Sequence, residues 1–414
     1  MMTVELMLAL FLWVIFLSGI ISLWFVLFGP NIPLFEYVEN ETFLVNSMTD
    51  ELTNESGILV DRDIEFVTSV KGLKTLRINH QQSFGQKSCR GLNVESLQSA
   101  NMTSIIELDN QNSATAAIVR GLTIFLTSNS SSTTDPDFYV ISIEDRRAPK
   151  IVSSMNTGPG LSSIAVAGYV AYVSNTSINS QAQAIDISNP LNPILKWSFK
   201  VPGSQGTSTS LGRVIATDGK RVFLGTAKNA SQELYSLDPM TGQLLSSFEI
   251  SGGVNGLYLN GSTLYVASPV DPELMVLDVS ERESMRLIGQ YDAVGGSGNG
   301  KSIERATDSL LLGRTLGGNE LISLDIASSS NIRKNSDAKI GSTVDSMIAA
   351  KNVLYTLTAH AQKELQIWKT TDGKLSVEQT IDLPSRGVGI GCSDGFLYTI
   401  LGTRTPLHMF EPAI

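Results

Sequence analysis

From about residue 112 onward the chain repeats itself, and such a period constrains the fold more than any other feature of a sequence. Each unit holds a β-branched and aromatic strand, a small-residue loop, a second strand that ends in Asp plus turn residues, and a third, more amphipathic strand. Consecutive units read YVAYVS…AQAIDISNPLNPILKWSF, RVFLGTA…ELYSLDPMTGQLLSSFEI, STLYVAS…ELMVLDVSERESMRLIGQY and SLLLGRT…ELISLDIAS. Flanking them are LTIFLTS…FYVISIEDRRAPKIVSS, VLYTLTA…ELQIWKTTDGKLSVEQTIDL and FLYTILG…PLHMFEP. The aligned strand ends are Ser142, Asp186, Asp238, Asp278, Asp325, Lys369 and Glu411, so neighbouring units are 40 to 52 residues apart. Four short strands per period of this length describe a mainly β fold, a seven-bladed β-propeller, and neither a helical solenoid nor a TIM barrel.

The last unit lacks an outer strand before the chain stops at Ile414, while MTSIIELD (Met102–Asp109) precedes the first complete unit as an unmatched strand. Pairing the two removes both exposed edges, so residues 101–414 are expected to form a ring closed by strand 102–109. The units resemble LVIVD and YVTN-type propeller repeats, with AIDISNPLNP and MVLDVSERES matching the first and SLDPMTG the second. That resemblance implies the fold and leaves the function open, because propellers serve as enzymes, receptors and adhesins. The repeated Asp is read as structural, an Asx-turn acceptor for turn N–H groups. Ligands for a metal converge in space, whereas these carboxylates are spread over different blades, so no metal site is expected.

The other end of the chain is strongly apolar. Leu6–Phe28 runs for 23 residues without a charge before Gly29-Pro30. A helix of that length spans a bilayer core, and proline ends it. The first thirty residues contain no Lys or Arg, so the basic start of a cleavable signal is missing and the segment is read as retained. Glu5 stands one residue ahead of the apolar run, where a carboxylate needs the headgroup region or a cation. Thr3-Val4-Glu5-Leu6 followed by an unbroken apolar helix resembles the mature N-terminus of type IV pilins and their archaeal class III-signal relatives. The resemblance implies that Glu5 neutralises the terminal amine of Met1 on a neighbouring subunit. It also implies that the helices leave the membrane to bundle as a filament core, with residues 1–30 as filament helix or membrane anchor.

Residues 31–100 are a less patterned linker or collar in which ILVDRDIEFVTSV and LKTLRIN are strand candidates. Sequons stand at Asn40, Asn54, Asn101, Asn129, Asn175, Asn229 and Asn260. Asn129, Asn175 and Asn229 each follow the second strand of a blade, which expects all three in loops on one face, available to glycans. Cys89 and Cys392 are the only cysteines, and outside the cytoplasm one disulfide between them would tie the collar to the last blade.

Catalytic patterns are sparse. With three histidines and two cysteines a zinc enzyme is not expected, and His80, His360 and His408 have no ligand spacing. Gly295–Ser302 (GGSGNGKS) fits the letters of a phosphate loop but is followed by SIERATDSLLLG, which is not helical text. Thirty basic against forty acidic residues give a net charge of −10, which argues against a nucleic-acid partner. The expectation is therefore a cofactor-free, non-enzymatic cell-surface protein. It is either a type IV pilus-like filament subunit with a propeller head for surface glycans or proteins, or a helix-anchored propeller adhesin or receptor. An anchored propeller enzyme is the third reading.

Overall fold

The computed structural model describes residues 63–68, 74–79 and 97–412, apart from short stretches at 101, 103–104, 110–111, 131–133, 204–210, 295–296, 307–308, 351 and 394. The chain divides into two compact units, 1–81 and 82–414. In the first, Asp63–Thr68 and Lys74–Asn79 pair as an antiparallel hairpin, the two segments the sequence marked as strand candidates. Met1, Glu5 and Leu6–Phe28 lie outside the described residues, and among the described residues no helix is long and apolar enough to cross a membrane.

The second unit holds seven four-stranded antiparallel sheets, six with their strands in consecutive order and the seventh completed by a strand from the start of the unit, which makes it a seven-bladed β-propeller. Blade 1 consists of Ala114–Arg120, Thr123–Ser128, Phe138–Ser142 and Lys150–Met155. The first strands of successive blades lie beside one another and surround the axis. Two-residue turns join first to second strands, with Gly121 and Gly168 at φ 54°, a left-handed conformation that glycine adopts without steric cost.

Why the middle strands read as nearly unbroken apolar runs follows from the packing. Both faces of each blade are covered by neighbours, so no solvent face imposes alternation. Seven buried clusters fill the seams. One joins Phe125, Phe138 and Val140 of blade 1 to Leu161, Val173 and Ile185 of blade 2. The last joins Tyr398, Ile400 and Met409 of blade 7 to Ile124, Tyr139 and Ile141 of blade 1. The repeated Asp behaves as expected: Asp186 Oδ1 accepts from Ser188 N at 2.9 Å, and Asp238 Oδ1 from Met240 N at 3.0 Å and Thr241 N at 2.8 Å.

Ring closure differs in detail from the expectation. The strand that completes blade 7 is Leu97–Ser99, paired antiparallel with Leu407–Pro412, so the propeller reaches back beyond residue 101. The side-chain amide of Gln379, on blade 6, holds that strand by accepting from Leu97 N at 3.1 Å and donating to Leu97 O at 3.2 Å. The described part of Met102–Asp109 is not strand. It carries the chain inward from the closing strand at the rim to the first inner strand, with Ile106 and Leu108 buried between blades 7 and 1 and Leu108 N bonded to Arg404 O at 2.9 Å.

Candidate functional site: the channel mouth and its loop face

The inner strands begin on the face that also carries the loops between second and third strands. In six blades an extra residue bulges from the start of the inner strand: Thr115, Ser162, Arg213, Lys301, Asp345 and Val388. A bulge re-aims its side chain away from the regular alternation, and here it does so around the channel mouth. Thr115 Oγ1 donates to Leu161 O at 2.8 Å, and Ser162 Oγ to Gly212 O at 2.7 Å. Arg213 Nη1 donates to Asn255 Oδ1 at 3.0 Å, and Asn255 Nδ2 to Gly300 O at 2.9 Å. Ser302 Oγ donates to Val344 O at 2.8 Å. Arg386 closes on Asp345 as a two-pronged ion pair, with Nε to Oδ2 at 2.6 Å. Blades 1 to 7 are thus stitched in sequence by polar contacts. The remaining seam, from blade 7 to blade 1, has Ala114 N donating to Thr403 O at 3.4 Å and Ser393 Oγ donating to Gly121 O at 2.7 Å. Its inner strands approach closely, since a Cβ on Gly391 would lie 2.6 Å from Val119 Cγ2.

Three cations and one anion stand at this mouth: Arg213, Lys301, Arg386 and Asp345. Burial holds the Lys301 ammonium below its ordinary pKa; Asp345 opposes that, while Arg386 and Arg213 add to it. The bond to Asp345 keeps Arg386 above its ordinary value.

Farther along the same inner strand, Glu304 accepts from Arg305 N at 2.9 Å. Burial pushes its carboxyl up to about 8, with that N–H bond opposing. The folded chain therefore holds this proton more tightly than the unfolded chain, whose value is near 4.5. Stability should fall as pH rises from about 4.5 to about 8, by between about 2 and about 5 kcal/mol, the lower end applying with water in the channel. Glu304→Gln should flatten that slope in urea titrations at pH 5 and pH 9. An unchanged slope would remove Glu304 as its source.

A second set of groups makes the loop face rigid, and sequence reasoning passed over it. The residue before each third strand in blades 1 to 6 is Asp137, Gln181, Glu233, Glu273, Glu320 or Glu364, all buried. In five of these blades the side chain accepts from backbone N–H groups beyond the blade's outer strand. Asp137 takes Thr157 N at 2.8 Å, Gln181 takes Val201 N at 2.8 Å, and Glu233 takes Ile250 N at 3.1 Å. Glu364 takes Leu383 N at 3.0 Å, and Glu320 takes Ile340 N at 2.8 Å and Gly341 N at 3.0 Å. The available signal was the recurring acid ahead of the apolar strand in ELYSLD, ELMVLD, ELISLD and ELQIWK.

Blade 4 departs from the rule. Glu273 instead receives Arg314 of blade 5, Nε at 2.7 Å and Nη2 at 2.6 Å, with both side chains 3% exposed or less. Asp271 and Asp292 bring their carboxylates within 4.8 Å of that of Glu273, the one candidate metal-ligand cluster among the described residues. The guanidinium already supplies the positive charge there.

The phosphate-loop letters do not become a phosphate loop. Ser297 N and Gly298 N both donate to Gly317 O, at 2.7 and 3.0 Å, and Asn299 N donates to Thr315 Oγ1 at 2.8 Å. Gly300–Ala306 then continues as a strand, so these N–H groups are spent inside the blade.

Among the sequons, Asn129 is exposed in the expected loop. Asn175 is a correction: it is fully buried, with Nδ2 donating to Gln183 Oε1 at 3.2 Å, so the folded chain does not present it to a glycan. The reason is that it ends a second strand and its side chain turns into the blade. Asn229 is half-buried and directs Nδ2 at Thr226 Oγ1, Ala227 O and Gln232 O. Asn260 ends the inner strand of blade 4, away from the loop face. Asn40, Asn54 and Asn101 lie outside the described residues. Cys392, in the inner strand of blade 7, is disulfide-bonded, and Cys89 lies outside the described residues. His360 and His408 stand on different blades, His408 with its pKa lowered by burial, and His80 lies outside the described residues.

Solved structures share this architecture. The chain is similar to the RRP9 WD40 repeats at 12% identity and TM-score 0.57, covering 77% of this chain and 100% of that one. It is similar to the WD40 propeller domain of Doa1 at 10% identity and TM-score 0.56, covering 75% and 96%. A third is Chaetomium thermophilum Sqt1 bound to the N-terminus of ribosomal protein L10, at 13% identity and TM-score 0.53, covering 72% and 83%. At such identities the likeness concerns the fold alone. No family model and no curated protein matches the chain.

Proposed function

We propose that this protein is a non-enzymatic cell-surface protein whose propeller is a binding head and whose N-terminal apolar segment is a filament core. The observation that carries the binding role is the loop face itself. Its loops are stapled by buried acids and its mouth is stitched blade to blade, so it offers polar groups already held in place, and preorganisation lowers the entropic cost of association. Sqt1, which is similar in fold, is bound to the N-terminus of ribosomal protein L10 in its structure. The disulfide at Cys392 fits a chain that works outside the reducing cytoplasm. The filament role rests on Glu5 ahead of the apolar run Leu6–Phe28. A carboxylate there pairs with the amine of Met1 on the next protomer, and the helices bundle while the propellers remain outside.

Glu5→Gln should abolish filaments in negative-stain micrographs of cell-surface preparations and leave the protein in the membrane fraction. Filaments at normal abundance in that variant would overturn the pairing role. Wild-type cells that carry the protein singly in the membrane would favour an anchored adhesin or receptor with the same head.

A further inference from the structure

We propose that Arg213, Lys301 and Arg386 form a binding site at the channel mouth for a doubly charged oxyanion, a phosphate-type group or a pair of carboxylates, on the ligand of the propeller. The inference deepens the binding-head reading and rests on it.

Four observations carry it. First, the chain is acidic overall, at −10, yet three cations from blades 3, 5 and 7 meet at one mouth. Their electrostatic reach overlaps, since Arg213 and Arg386 both act on Lys301. Second, the carboxylate acting on Lys301 there, Asp345, is committed through both oxygens to Arg386, which among the described residues of the mouth leaves two formal positive charges without a counter-charge. Third, Lys301 is half-buried on a bulge, and among the described residues its ammonium reaches no hydrogen-bond acceptor. An ammonium that is drawn from water and feels the charge of two guanidiniums is costly unless an anion completes the group. Fourth, the seam of blade 5 does not need the charge of Lys301. Thr115 and Ser162 occupy the equivalent bulges of blades 1 and 2, and their hydroxyls make the seam contact with the next blade. In blade 5 that contact is made by the neighbouring Ser302, which leaves Lys301 free of the seam. Among the described residues Arg213 reaches one acceptor, through Nη1, so part of its donor fork remains for a ligand. A mouth with two uncompensated charges selects a dianion over a neutral sugar or an amide.

The test uses the full-length protein in detergent, with inorganic phosphate and succinate as probes in equilibrium dialysis at constant ionic strength. Wild type should bind one equivalent of at least one probe, and the tighter of the two identifies the oxyanion class. Lys301→Met and Arg213→Gln should each weaken that binding about tenfold or more. Lys334→Met, which removes an exposed lysine paired with Asp337 on the outer strand of blade 5, should leave it unchanged. Lys301→Met should fold at least as stably as wild type, because it discards an uncompensated cation, and its thermal midpoint should lose the phosphate-dependent rise seen in wild type. Unaltered binding in both mouth variants, equal weakening in Lys334→Met, or no uptake of either probe by wild type would overturn the site. Failure here with intact filaments removes only the anion site. Phosphate binding without filaments removes only the polymer reading.

Discussion

Arg314→Met is expected to lower the free energy of unfolding by about 3–5 kcal/mol, a loss out of scale for one side chain on a protein of this size. The substitution leaves Glu273 as a buried carboxylate with no cation, and Asp271 and Asp292 as close neighbours of like charge. It also removes the donors to Asn319 O at 2.9 Å and Gly298 O at 2.8 Å, which hold the loops on either side of the blade 5 mouth. Removing both charges at once is a different experiment. Glu273→Leu with Arg314→Met should recover most of the loss, because apolar replacement of a whole buried pair is often neutral or favourable. Urea denaturation of the wild type, the two single variants and the double variant at pH 7 measures the coupling. A single-variant cost below about 1 kcal/mol would mean that the seam between blades 4 and 5 does not rest on this pair.

Glu320→Ala should cost about 3–4 kcal/mol for a different reason. Four backbone donors depend on that carboxylate: Ile340 N and Gly341 N through one oxygen, and Gly317 N and Gly318 N, at 3.3 and 3.2 Å, through the other. Alanine offers them nothing, whereas Glu320→Gln keeps one acceptor oxygen and should lose about half as much. Hydrogen exchange would localise the effect, with Ile340 and Gly341 losing protection first. Burial pushes the Glu320 carboxyl up, but the four N–H bonds together outweigh it and leave the group below its ordinary 4.5. Its contribution is therefore present above pH 4.5 and lost as the pH falls through the lowered folded value. Wild type should lose stability on acidification in that range, and Glu320→Gln should lose less. Equal acid sensitivity in both would assign the loss to other carboxylates.

Whether a feature was legible depended on how far along the chain its partner lies. The Asp that ends the third strand was readable as a turn residue because its acceptor bonds are local, Asp186 to Ser188 and Asp278 to Ser280. The residues just ahead of the third strands were equally visible as letters. Their partners lie 17 to 21 residues downstream, as from Glu233 to Ile250 or Glu320 to Gly341, so their role needed the outer strand to fold back. Strand 102–109 was misplaced for a related reason. Alternating apolar residues mark a segment that buries one side, and Ile106 and Leu108 do bury theirs, but on a crossing from rim to axis rather than on the edge of a sheet.

By itself the sequence determined the number of blades, the all-β character of the repeats and the local turns, since each arises from a period or from contacts within a few residues. Only the tertiary structure decided which charged groups share a mouth. Arg213, Lys301 and Arg386 are separated by 88 and 85 positions in the chain and meet because closing a ring brings the starts of distant inner strands to one rim. A periodic pattern specifies each unit and its neighbour, whereas a site built across the axis draws on the curvature that accumulates over all seven seams.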